Sequence, residues 1–131
     1  MPVLDEALEA VIQLLNNLGL FSTVLLGPLT PQPGIAVNMG PTAPESVYLD
    51  KNAYIPMDAT INARHPDLRL LSNTMNTIHS SLTRRKTYPS GDGWQIVDIT
   101  TQTLPQVIGR EPNNDWLMAS ALSVKVYQYA D

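Results

Sequence analysis

The chain has 131 residues, 44% of them hydrophobic and 15% charged, with 8 Lys and Arg against 12 Asp and Glu, a net charge of −4 and no cysteine. One domain of this length buries roughly two thirds of its unfolded surface, so a single core spanning residues 1–131 is expected. The acidic balance, with no basic run beyond "RRK" at 84–86, speaks against free nucleic-acid binding, and the missing cysteines exclude disulfides, thiolate metal sites and thiol nucleophiles. Three acids in the first nine residues and no basic n-region argue against a signal peptide, and no apolar run approaches the ~20 residues of a membrane span.

In chain order, Val3, Leu4, Ala7, Leu8, Val11, Ile12, Leu15 and Leu18 form a helical stripe that predicts a helix over 3–18, with Pro2 at its start, Asp5, Glu6 and Glu9 near its positive dipole end and Gly19 just past its close. Phe21–Leu26 reads as a short strand stopped by Gly27-Pro28. "GPLTPQPG" (27–34) is a stiff, proline-bearing loop. Residues 35–39 then alternate again, so the two strands are expected to pair as a hairpin with a long rigid tip. A second loop (40–45) and a short strand (46–49) follow.

In "MDATINARHPDLRLLSN" (57–73) the apolar period changes. Met57, Ala59, Ile61 and Ala63 alternate with Asp58, Thr60, Asn62 and Arg64, which predicts a strand with one buried face. Pro66 disfavours helix at His65, so the next element begins after it, capped by Asp67 or His65. Leu68, Leu71, Met75, Ile78 and Leu82 carry that helix to the cations Arg84, Arg85 and Lys86, which favour its negative end. "YPSGDGW" (88–94) is a turn, and 94–103 is a β-rich strand that Pro105 limits or bulges. Residues 109–115 form a polar loop and Trp116–Tyr129 a long closing strand with one apolar and one mixed face. The order predicts an α+β fold: an antiparallel or mixed sheet with two main helices packed on one face.

Residue chemistry offers no active site. His65 reads as a junction residue and His79 as a solvated helix histidine. Ser80 and Ser81 lie beside His79, but sequence adjacency gives no nucleophile–base geometry, and no G-x-S-x-G elbow exists. "SGDG" lacks the lysine and helix of a phosphate loop. Asp58 and Asp98 are isolated strand carboxylates. Arg64, ending the polar face of its strand, either contacts a neighbouring subunit or stands in solvent; Tyr127 and Tyr129 either cover the core edge or anchor an interface.

Taken together, "LDEALEAVIQLLNNLGL" with "FSTVLLG", "MDATINAR" leading into "PDLRLLSNTMNTIHSSLTR", "WQIVDITTQTLPQVIGRE" and the closing "WLMASALSVKVYQYAD" resemble, in order and over most of the chain, the tailed-phage minor capsid and tail-terminator (tail-completion, head-tail joining) proteins. The resemblance implies a small α+β subunit of a ring-shaped, hexameric homo-oligomer at the head-proximal end of the tail tube, which ends tube growth and meets the head connector. It implies a virion location, with host cytoplasm during assembly, and no enzyme activity, cofactor or metal. On that pattern Asn62, Arg64, Tyr127 and Tyr129 are candidate subunit contacts, and Pro28, Pro31, Pro33, Pro41, Arg110, Asn113 and Asn114 mark candidate partner-facing loops. A small ligand-binding domain, which requires a pocket with convergent polar groups, or an adaptor that binds a partner protein through its tyrosine-bearing strand is the alternative.

Overall fold

The apolar stripe at the N-terminus folds as helix α1 (Val3–Asn16), with Ala7, Leu8, Val11, Ile12 and Leu15 all buried and Asp5 and Glu6 in its first turn. The computed structural model describes residues 3–40, 46–47, 53–83, 85–112 and 114–129. The helix stops two residues before the expected Leu18, because its last turn tightens: the Asn17 N–H donates to both Gln13 O (3.2 Å) and Leu14 O (3.3 Å), and Leu18 N–H to Leu15 O (3.1 Å). Gly19 follows at φ +70, a conformation that glycine enters freely.

The released end of α1 then organises the next strand. Asn16 Oδ1 accepts the Val24 N–H at 2.7 Å and Asn16 Nδ2 reaches Val24 O at 3.4 Å. This fixes strand β1 (Val24–Leu26), shorter than the expected Phe21–Leu26. Strand β2 (Gly34–Met39) pairs with β1 in parallel, Val24 beside Ile35 and Leu26 beside Val37, which overturns the expected hairpin. At Gly27 (φ +122) the chain turns; its N–H donates to Val37 O at 3.2 Å and its carbonyl accepts from Asn38 Nδ2 at 2.8 Å. The loop 27–33 brings the chain back to the starting level of β1. Parallel crossovers ordinarily take about a dozen residues or more, so the short spacing favoured the hairpin expectation, and side-chain amides supply what a turn would have.

Strand β3 (Ser46–Val47) and strand β4 (Ala53–His65) pair antiparallel. The expected residues Tyr48 and Leu49 of the short strand lie outside the described residues, as does the loop residue Pro41. The start of β4 precedes the expected Met57 by four residues and includes Pro56, which falls between the stretch paired to β3 and the stretch paired to β2. The missing Pro56 N–H therefore breaks no ladder on that side.

After His65 the change of period becomes a change of element. Asp67 Oδ1 accepts the N–H groups of Arg69 (3.0 Å) and Leu70 (3.2 Å), opening helix α2 (Leu68–Leu82). The Asp67 N–H itself donates to His65 Nδ1 at 2.9 Å. Leu71, Met75, Ile78 and Leu82 are buried as the stripe requires. At the other end the Thr83 hydroxyl donates to His79 O at 2.8 Å; Arg84, expected to favour this dipole end, lies outside the described residues.

Strand β5 (Ser90–Gly91) turns through Asp92–Gly93 into strand β6 (Trp94–Arg110), which pairs antiparallel with strand β7 (Trp116–Gln128). Among the described residues the sheet has seven strands in the order β1-β2-β4-β7-β6-β5, with β3 added on β4. On β4 the buried residues that join the core are Ile55, Met57, Ala59, Ile61 and Ala63, with Ala53 buried at its start; on β7 the buried residues are Met118, Ser120, Leu122, Val124 and Val126. The apolar members form one cluster with the buried sides of both helices. The fold is thus α+β with a mixed sheet.

Candidate assembly surfaces

Because side chains alternate across a strand, the sheet has a second face that the helices leave uncovered. It carries Asp58, Thr60, Asn62 and Arg64 from β4, and Ala119, Ala121, Ser123, Lys125 and Tyr127 from β7, all half-buried. Asn62 sits centrally there, between Ala36 of β2 and Ala119 of β7. Asp58 pairs with Ser123 and Asp98 with Lys125, so the two carboxylates flank β7 from opposite sides rather than converging. The Asp98 carboxylate also accepts the Ile99 N–H at 2.9 Å.

Arg64 is a clamp within the chain. Its Nη1 donates to Pro31 O at 3.2 Å and its Nη2 to Glu111 Oε1 at 3.1 Å, with the side chain 13% exposed. It ties the proline loop 27–33 to the turn after β6, so two of the predicted loops lie together at one end of the sheet. Pro28, Pro31 and Pro33 are exposed there. The turn closes through Asn114 N–H to Glu111 O (2.9 Å) and Glu111 N–H to Asp115 O (2.8 Å), with the exposed Asn114 at φ +74. Asn113 lies outside the described residues. Arg110 does not reach outward as a free cation: its guanidinium carbon stands 4.7 Å from the Trp116 ring centroid. Tyr127 and Tyr129 belong to the opposite end, where Tyr127 pairs with Tyr54 and the two tyrosine rings meet edge to face at 5.2 Å. The predicted contacts therefore divide between two ends of the sheet.

His79 corrects the sequence reading. It is 6% exposed, wedged between α2 and the sheet, where Nδ1 lies 2.9 Å from Thr101 Oγ1 and Nε2 lies 2.7 Å from Ser120 Oγ. Burial lowers its pKa from the ordinary 6.5. A serine does meet a histidine, yet it is Ser120 rather than Ser80 or Ser81, which follow His79 in α2. The third member is a threonine hydroxyl rather than a carboxylate, and the pair lies within the packed layer. The arrangement satisfies buried polar groups that link α2 to β6 and β7. Among the described residues no group of three His, Asp or Glu side chains is placed to hold a metal ion.

The sequence reading missed the outer half of β6. The strand runs on through Pro105 to Arg110, with ladder irregularities between Thr101 and Thr103, Thr103 and Gln106, and Val107 and Gly109; Pro105 falls in the second of these, so of its two expected roles it marks a bulge and does not limit the strand. Leu104 (73% exposed), Val107 (47%) and Ile108 (55%) stand in solvent on this stretch. Across the sheet, β1 exposes Leu25 (54%) and Leu26 (58%). The apolar residues of "LPQVI" (104–108), on both sides of the proline, are the available signal. No protein-family profile matches the chain, and no curated protein sequence matches it.

Proposed function

We propose that the chain is a structural subunit of a tailed phage or prophage, a minor capsid or tail-terminator protein whose copies form a ring at the head-tail joint. The ring ends tail-tube growth and joins the head connector, and its work is geometric rather than catalytic. The observation that carries this reading is a sheet with exposed aliphatic side chains on its edge strand β1, at Leu25 and Leu26, and on the part of β6 beyond its short pairing with β5, at Leu104, Val107 and Ile108. Head-to-tail contacts between unlike surfaces close into a ring when the rotation permits. The clamped loops at one end of the sheet, stiffened by proline and by Arg64, suit contact with the next layer of an assembly because little freedom is lost on docking. An acidic subunit also suits a channel along which DNA slides without being held.

Electron microscopy of the purified chain with and without tail tubes tests the reading. Rings capping tube ends, and shorter tubes when the chain is present during polymerisation, are expected. Tubes of unchanged length with bare ends would contradict it.

A further inference from the structure

We infer that neighbouring copies meet through two sheet edges free of carboxylates, the β1 edge of one copy packing its side chains against the outer half of β6 of the next. The inference rests on the ring reading in requiring association and adds where it occurs.

Charge supplies the first argument. Residues 10–44, which contain β1 and its loop, hold no Asp, Glu, Lys, Arg or His, and neither do residues 99–109 of β6. In a chain of net charge −4 these are edges where two copies meet without apposing carboxylates, and Arg110, which ends β6, holds its guanidinium over the Trp116 ring. The second argument is the ladder irregularities. Leu104 falls between the paired residues Thr103 and Gln106, and Ile108 between Val107 and Gly109, so both lack a cross-strand partner on β7 and are aimed outward.

The same features decide how the edges join. Bulges and Pro105 blunt β6 against strand addition, and the Val24 backbone is already taken by Asn16. Leu25 and Leu26, successive residues of a strand, project to opposite sides of the sheet. The contact is therefore an interlock of aliphatic side chains rather than a continued sheet. The two surfaces differ, so each copy uses both, and ring closure adds the effect of many small contacts.

The chain's lack of cysteine makes the test direct. Leu26→Cys and Ile108→Cys are prepared separately, checked for an unchanged melt, and treated with a flexible bis-maleimide. An equimolar mixture is expected to give a 1:1 cross-linked dimer, each variant alone to remain monomeric on the gel, and the double variant to give a ladder ending at the ring. An uncross-linked mixture, or equal dimer in either single-variant sample, overturns the inference. If the wild type associates while the mixture stays uncross-linked, the surfaces are wrong and the ring reading survives. If the wild type stays monomeric as well, both fall.

Discussion

Removing the Ser120 hydroxyl tests the buried polar link between α2 and the sheet. Ser120 is 5% exposed and His79 6%, and their side chains meet at 2.7 Å. Ser120→Ala deletes one oxygen, leaving little cavity, but strands His79 Nε2 where water has no easy access. An unsatisfied buried group of this kind costs about 1–3 kcal/mol. For a chain of this size each kcal/mol lowers Tm by roughly 3–5 °C, so a fall of roughly 3–15 °C is expected. Urea titration should show a lower midpoint at constant slope, since the native surface is unchanged. The double variant His79→Leu/Ser120→Ala removes both partners and should be less destabilised than the sum of the singles, by about 1 kcal/mol or more. A loss below about 0.5 kcal/mol for Ser120→Ala, with additive singles, would refute the reasoning.

The pH dependence of stability follows from the same histidine. With the native His79 pKa held below 6.5 by burial, the unfolded chain takes up its proton first as pH falls. Stability is full above about 6.5 and declines below it by at most about 1.4 kcal/mol per pH unit, until native His79 is also protonated; denaturant titrations at successive pH values should show a shallower decline for His79→Gln. Arg64→Met keeps the aliphatic stem and removes the guanidinium, so hydrogen exchange at the amides of Gly27, Glu111 and Asn114 should quicken while that of α2 does not; unchanged exchange in both loops would count against the clamp. Gly91→Ala would drive a Cβ into the Trp94 indole, and about 1–3 kcal/mol of stability should be lost, with a changed tryptophan emission; a neutral substitution would show that the ring moves aside freely.

Much of the fold was legible where its cause is local. The shift of period after Arg64, the Asp67 cap, the α2 stripe and the turn before Trp94 are written in neighbouring residues, and the structure follows them. The direction of β1 was not, because a three-residue strand alternates identically either way and its placement depends on the Asn16 amide eight residues earlier. Pro105 reads equally as a strand limit or a bulge, and nothing local to Leu104, Val107 and Ile108 says that pairing with β7 resumes past it, so the exposed part of β6 is not legible as strand in the sequence. His79 lies four residues past the buried Met75, a spacing that puts it on the covered side of α2; weighing it as a polar residue hid that position. Arg64 stands out in the sequence as the end of a polar strand face, but its partners within the chain, Pro31 and Glu111, are distant in sequence and no local pattern names them.

The central claim is self-association into a closed ring through unlike edges. Sedimentation velocity over a concentration series, with native mass spectrometry at its upper end, tests it most directly. The account predicts a single discrete species at six times the 14.4 kDa protomer, growing at the expense of monomer as concentration rises. A 14.4 kDa particle at every concentration, unchanged by added tail tubes, would contradict it.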